Sequence, residues 1–376
     1  MQSRYAEAVV KLGEAKSAFQ RIRVSLGMAQ CMQNLGDVLL MQSRYADAVP
    51  MLKEAKLTFE VVNEPLGAAQ CTHSLGDVLR MQSRYAEAVP MLEEAKLAFE
   101  TIDEPLGAAQ CTQKLGDVLR TQSRYAEAVP MLEEAKLAFQ GVGVPLGAAQ
   151  CMLSLGEVLH MQSRYSEAGP MLEEAKLAFQ AVGAPLGAAQ CTLSLGDVLF
   201  MQSRYAEAFP ILREAKLAFE AIGAPLGAAQ CARSLGDVLR MQSRYAEAVP
   251  ILQEAKSAFE AMNEPLGAAQ CTHSLGNVLR MQSRFAEAVP MLLEAKLAFE
   301  AIGGPLGAAQ CTQSLGDVLR MQSRFAQAVP MLEEAKLAFE AIDEPLGAAQ
   351  CTLSLGRILL KQERWKEAIF LLEKAE

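Results

Sequence analysis

A block of forty residues is written nine times in this chain and begun a tenth time. Residues 81–120 read MQSRYAEAVPMLEEAKLAFETIDEPLGAAQCTQKLGDVLR, and residues 201–240 read MQSRYAEAFPILREAKLAFEAIGAPLGAAQCARSLGDVLR. A fixed period of this size does not build one central core. Each unit can bury its apolar face only against the copies before and after it. The expectation is therefore one quasi-linear array over residues 1–376. Its units start near 1, 41, 81, 121, 161, 201, 241, 281 and 321, with a partial unit at 361–376. Apolar residues make up 51% of the chain, enough for a continuous core between layers. The net charge of −9 argues against nucleic acid or an anionic membrane as the main partner, because both need a basic footprint. No run of about 18 apolar residues is present, so no membrane span is expected. The N-terminus has no basic segment followed by an apolar stretch, so no secretory signal is expected either.

Nine cysteines recur once per unit, from Cys31 and Cys71 to Cys351. Equivalent helices in adjacent layers lie about 10 Å apart, whereas a disulfide needs Cα atoms closer than about 7 Å. The cysteines read as small buried apolar residues of a chain in the reducing cytoplasm. No Cys-x-x-Cys or Cys/His cluster points to a metal.

Within one unit, Tyr85, Ala88, Leu92, Ala95, Phe99 and Ile102 recur at spacings of three and four, the stripe of a helix, here helix B. Ser83 is placed to cap it. Glu87, Glu93, Glu94, Lys96 and Glu100 fall largely off the stripe and form a solvated acidic face. Helix B ends near residue 102. Position 103 and its equivalents hold only Asn, Asp or Gly across eight units, which predicts a tight turn with a left-handed residue. Pro105 then opens helix A, where Ala108, Cys111, Leu115, Val118 and Leu119 form the next stripe. Gly107 and Gly116 lie inside it at a cost of about 1 kcal/mol each relative to alanine, which predicts close helix–helix approach. Pro90 conflicts with helix B and predicts a bend. Ten B helices and nine A helices give about nineteen antiparallel helices, an all-α fold. The first unit, with Val10 in place of the proline, and the segment KQERWKEAIFLLEKAE, with the single tryptophan Trp365, depart from the middle units. Polar terminal units of this kind are what a finite solenoid requires. Yet the chain begins mid-unit, at a methionine that the repeat itself supplies, so a fragment of something longer and a designed or recently duplicated array both stay open.

A helix pair with Leu115-Gly116 in its first helix and Tyr125, Ala128 and Ala135 in its second resembles a tetratricopeptide repeat, in phase along the whole chain. It departs from the standard unit in its period of forty rather than thirty-four, in Thr112 and Leu119 at positions usually aromatic, and in lacking the closing proline. Ser74-Leu75-Gly76 resembles the units of Pins-type polarity adaptors. The run from Tyr85 to Pro90 is similar to kinesin light chain repeats, and near-identical arrays resemble the sensor regions of fungal NOD-like receptor proteins. The resemblance implies a right-handed α-solenoid that recognises proteins or peptides, with A helices lining the concave face. Polarity adaptors hold peptide backbone with an asparagine after Leu-Gly. Of the equivalents here, only Asn277 matches.

The helix A face opposite the stripe carries Gln70, His73, Asp77, Arg80 and Met81, spaced by three or four. The units differ most along it. One position runs Gln33, His73, Gln113, Leu153, Leu193, Arg233, His273, Gln313, Leu353. A second runs Asp37, Asp77, Asp117, Glu157, Asp197, Asp237, Asn277, Asp317, Arg357, and a third Leu40, Arg80, Arg120, His160, Phe200, Arg240, Arg280, Arg320, Leu360. One reading is solvent positions drifting after duplication, with Asp77 and Arg80 simply paired. The other is a groove with an apolar middle at Leu153, His160, Leu193 and Phe200 flanked by arginines, suited to a peptide with apolar anchors and acidic flanks. A structural spacer or end-to-end self-associating array, and the sensor part of a larger signalling ATPase, are the alternatives. His73, His160 and His273 stand in different units, and there is no phosphate loop. Neither catalysis nor a cofactor is expected.

Overall fold

The computed structural model describes residues 2–373, with side chains from Tyr5 to Leu371. Met1 and residues 374–376, which the period assigns to the first and tenth units, lie outside the described residues. The described residues hold nineteen α-helices and no strand. Contacts divide the chain into two compact units, Met1–Cys191 and Thr192–Glu376. The first contains α1 (Gln2–Arg21), α2 (Ser25–Met41), α3 (Tyr45–Val61), α4 (Pro65–Met81), α5 (Tyr85–Thr101), α6 (Pro105–Thr121), α7 (Tyr125–Gly141), α8 (Pro145–Met161) and α9 (Tyr165–Ala181). The boundary falls within α10 (Pro185–Met201). The second holds α11 (Tyr205–Ala221), α12 (Pro225–Met241), α13 (Tyr245–Ala261), α14 (Pro265–Met281), α15 (Phe285–Ala301), α16 (Pro305–Met321), α17 (Phe325–Ala341), α18 (Pro345–Lys361) and α19 (Trp365–Glu373). Odd-numbered helices are B helices and even-numbered ones A helices.

In the first unit each helix packs on its sequence neighbours, and the A helices α2, α4, α6 and α8 also touch in succession. The same holds in the second for α12, α14, α16 and α18. The helix B stripe is the core: Ala88, Leu92, Ala95 and Phe99 are buried, with Tyr85 and Ile102 half-buried at its ends. From helix A come Ala109, Cys111, Leu115 and Val118, with Thr112, whose Oγ1 donates back to the Ala108 carbonyl at 2.9 Å and so enters the core satisfied. All nine cysteines are free and buried. Burial pushes the Cys111 thiol up to about 12.

The helix A glycines receive side chains from neighbouring helices, and at Gly116 the backbone of the next helix also comes close, its Leu132 nitrogen lying 3.5 Å from where a Cβ would stand. A Cβ on Gly107 would sit 2.4 Å from the Phe99 ring, and one on Gly116 2.7 Å from Leu132 Cγ. Each A helix from α2 to α16 thus receives a phenylalanine from the B helix before it and a leucine from the B helix after it. That packing offsets the propensity lost at glycine.

Both turns close in the same way. Asp103 (φ 58°) donates to the Glu100 carbonyl and Glu104 to that of Phe99. Ser83 (φ 58°) donates to Arg80 and Arg84 to Leu79. This paired pattern ends a helix on a left-handed residue. The turn expected at 103 is therefore present, but Ser83 does not cap helix B. It terminates the preceding helix A, and α5 starts at Tyr85 behind Arg84, which makes no side-chain capping bond. Helix B consequently begins one residue later than a Ser83 cap would place it. Pro90 falls in its second turn, where the carbonyl left without a donor is that of Ala86. Ala86 and Pro90 are both exposed, so water can serve that carbonyl, and the helix runs unbroken from Tyr85 to Thr101.

Candidate functional site

Polar pairs run between successive A helices along the variable face. In the first unit, Ser74 Oγ donates to Asp37 at 2.8 Å, and Ser154 Oγ to Asp117 at 2.8 Å. Where Lys114 replaces the serine, its Nζ lies 3.3 Å from Asp77. Within one helix, Arg80 Nε meets Asp77 at 2.7 Å. Arg120 reaches on to Glu157 in the next A helix at 2.9 Å, while its Nε is buried without a hydrogen-bond partner. Gln33 donates to Gln70 at 2.9 Å and Gln113 to Gln150 at 3.4 Å. Leu153 packs against the cluster of Ala149, Met152, Ala175, Phe179, Ala188 and Cys191, and the rings of His160 and Tyr165 lie 5.8 Å apart.

Protonation follows these partners. Burial raises the Asp37 carboxyl, and the Ser74 bond only partly offsets it. At Asp77 burial acts the same way, but Lys114 and Arg80 outweigh it and hold the carboxyl below its ordinary value. Glu157 is raised by burial despite Arg120. Burial lowers His73, whose Nε2 is buried with no hydrogen-bond partner.

In the second unit, Ser234 donates to Asp197 (3.0 Å), Ser274 to Asp237 (2.9 Å), Ser314 to Asn277 (3.1 Å) and Ser354 to Asp317 (2.9 Å). Arg240 and Arg233 both approach Asp237, at 3.4 and 3.5 Å. Arg320 Nε meets Asp317 at 2.9 Å, and Gln313 donates to Gln350 at 3.2 Å. Leu193 and Phe200 pack against the cluster of Ala208, Leu212, Leu235 and Val238, and the Phe200 and Tyr205 rings lie 5.5 Å apart. Asn277 is buried. Its Oδ1 accepts from Ser314 and from Arg280 Nε (3.1 Å), and its Nδ2 donates to His273 Nε2 at 2.9 Å. Burial depresses Arg280 and takes His273 down to about 4.

Asp37, Asp117, Asp197, Asp237 and Asp317 are thus tied to serines one layer on, and Asp77 to Lys114 instead. Arg80, Arg240 and Arg320 meet the acid three residues back through Nε, Arg280 meets Asn277 in the same way, and Arg120 reaches Glu157 through a terminal nitrogen. What stays outward is a pre-organised polar lattice. Sequence reasoning missed two of its parts. The serine ladder was readable in the constant 37-residue step between each acid and its serine. The second part is the leucine four residues before each strip glutamine. Leu66 (37%), Leu106 and Leu146 in the first unit, and Leu226, Leu266 and Leu306 in the second, extend the strip as an exposed apolar row. Among the described residues no three His, Cys, Asp or Glu side chains come together to hold a metal ion, and no helix is long and apolar enough to cross a membrane.

No curated protein sequence matches the chain. Among solved structures it is similar to the apo form of the quorum sensor NprR from B. thuringiensis. That match has TM-score 0.65 and 11% identity, over 90% of this chain and 99% of that one. It is similar also to the Rap conjugation gene regulator of plasmid pLS20 in complex with the Phr* peptide (0.61, 14% identity, 90% and 96% covered). A third likeness is to a signal transduction ATPase with numerous domains from Pyrococcus horikoshii that carries a tetratricopeptide repeat sensor (0.59, 14% identity). It covers 90% of this chain but 52% of that protein. At these identities the likeness is one of fold. The sequence pattern of the tetratricopeptide repeat matches residues 28–64, 67–136, 107–181, 187–261, 268–340 and 309–376. With most of its length matched, the chain belongs to the tetratricopeptide repeat family.

Proposed function

We propose that the chain is a non-catalytic interaction scaffold that takes a peptide or helical segment of a partner protein along its A-helix face. The observation that carries this reading is the strip itself. The buried stripe barely changes from unit to unit, while the positions of His73, Arg80 and their equivalents change repeatedly on one ordered face. Side chains held by neighbours lose little freedom when a ligand arrives, which favours binding. The Rap regulator, solved with a peptide bound, lends support by fold. Leu153 would supply an apolar anchor in the first unit, beside the His160 ring, and Leu193 and Phe200 would do so in the second; the arginines of each unit would meet acidic flanks.

The test is a peptide-display selection on the full chain, followed by two variants. Gln110→Lys with Gln150→Lys alters exposed positions of the A face. Leu97→Lys with Leu137→Lys alters leucines exposed by 65% and 63% on helix B. The A-face pair is expected to abolish binding of the selected peptides and the B-face pair to leave it intact; the reverse pattern sinks the reading. A second reading is the ligand-sensing repeat region of a larger signalling ATPase, supported by the Pyrococcus protein, about half of which the chain matches. The sequence of the complete gene decides it.

A further inference from the structure

Three departures from the repeat meet in one pocket. At the position of Asp317 the unit built on α18 has Arg357, at that of Met321 it has Lys361, and at that of Phe325 it has Trp365. Every other unit carries an acid or Asn277 at the first position, Met or Thr at the second and Tyr or Phe at the third. The three replacements line an open pocket of about 620 Å³, together with Arg320, Phe325 and Leu360. All its charged lining residues are cationic. Arg320 is already engaged by Asp317 through Nε, which leaves its terminal nitrogens for a guest. Arg357 and Lys361 are exposed and have no ion-pair partner among the described residues. A solvated cap on the stack would account for the arginine and the lysine. It would not account for enlarging the aromatic ring beside them to an indole that is 58% exposed.

We propose that this pocket binds an acidic polypeptide segment, seating an apolar side chain against Trp365, Phe325 and Leu360 and its flanking carboxylates on Arg357 and Lys361. Charge complementarity commits the occupant. Guanidinium and ammonium groups set beside apolar surface favour a carboxylate adjoining an apolar anchor, because the charge-assisted bonds and the buried apolar area add. Single-stranded nucleic acid would also bring anions and flat rings. It is disfavoured by the −9 charge of the whole chain, which repels a polyanion on approach. The inference rests on the peptide-binding reading above and names one site and one ligand chemistry within it.

Trp365 is the only tryptophan, so its fluorescence reports this pocket alone. The full chain is titrated to 1 mM with the peptide GDELFEDG, and total binding is followed in parallel by calorimetry. The comparison ligands are GKKLFKKG, GDESSEDG and a twelve-residue thymidine strand. GDELFEDG is expected to shift Trp365 emission to the blue with saturation, and the other three are not. The variant Arg357→Asp with Lys361→Met restores the chemistry of the interior units, so it keeps the fold. It should weaken the response roughly tenfold. A silent tryptophan, an equal response to the lysine peptide, a response to the thymidine strand in its place, or an unchanged affinity in the variant overturns the proposal. Calorimetric binding with a silent tryptophan refutes this pocket while leaving the scaffold reading standing.

Discussion

His273 offers a direct test of how the polar lattice is wired. Asn277 Oδ1 accepts from Ser314 and Arg280, so its Nδ2 must face the histidine, 2.9 Å from Nε2. A donor aimed at Nε2 requires that nitrogen to be an acceptor. The ring is therefore neutral with its proton on Nδ1. Burial drives the same result and takes the group from 6.5 to about 4; Asp237 pulls the other way, and Arg240 and Arg280 add to the depression. Because the folded value lies below the unfolded one, the unfolded chain holds more protons between them. The stabilisation is complete above about pH 6.5 and is lost as pH falls to about 4. A gap of about 2.5 pH units, at about 1.36 kcal/mol each, amounts to about 3 kcal/mol. The perturbation is His273→Gln, the residue found at Gln33, Gln113 and Gln313. Nuclear magnetic resonance titration of the three histidines, assigned by single substitutions, should give a His273 midpoint near 4. Hydrogen exchange in α14 should show wild type losing about 3 kcal/mol relative to the variant from pH 7 to pH 4. A His273 midpoint at or above 6.5, or a stability difference that does not move with pH, refutes the wiring.

Gly236→Ala should destabilise by about 1–3 kcal/mol in urea unfolding, since the added Cβ would lie 2.4 Å from buried Leu252 and overpacking outweighs the helix propensity gained. In a Leu252→Ala background the same glycine change should cost less, read from a double-mutant cycle, and a stabilised single variant would contradict the packing described. Ser154→Ala removes the bond to Asp117 and should cost about 1.5–3 kcal/mol, read as faster hydrogen exchange in α6 and α8; unchanged exchange would make the ladder ornamental. The cysteines with thiols raised to about 12, Cys71 and Cys111 among them, should resist alkylation at pH 8 in the folded chain and react only on unfolding. Rapid labelling of native protein would contradict their burial.

The helices were legible because their residues report locally. Ala88, Leu92, Ala95 and Phe99 recur with helical period, Pro105 can open a helix, and Asp103 tolerates the left-handed backbone it adopts. Ser83 was misread for a physical reason. A serine before an apolar stripe has the chemistry of a cap, and only the bonds from Ser83 to Arg80 and from Arg84 to Leu79 assign it to the preceding helix. The candidate strip was legible as a face, since spacings of three and four are a property of one helix. Its bonding was not. Ser154 and Asp117 are thirty-seven residues apart, and their meeting depends on how α8 settles on α6.

The sequence by itself determined the period, the helix pairs, the left-handed turn after each B helix and the membership of a repeat family. Those follow from intrinsic backbone preference and from an apolar stripe that must be buried. Only the tertiary structure decided that Gly107 and Gly116 receive side chains, that the acids of the A face are bonded to serines of the next layer, and that Arg357, Lys361 and Trp365 share a pocket with Arg320. Each of these joins residues of different helices. Their proximity is set by the packing distance and rotation between layers, which no single helix encodes.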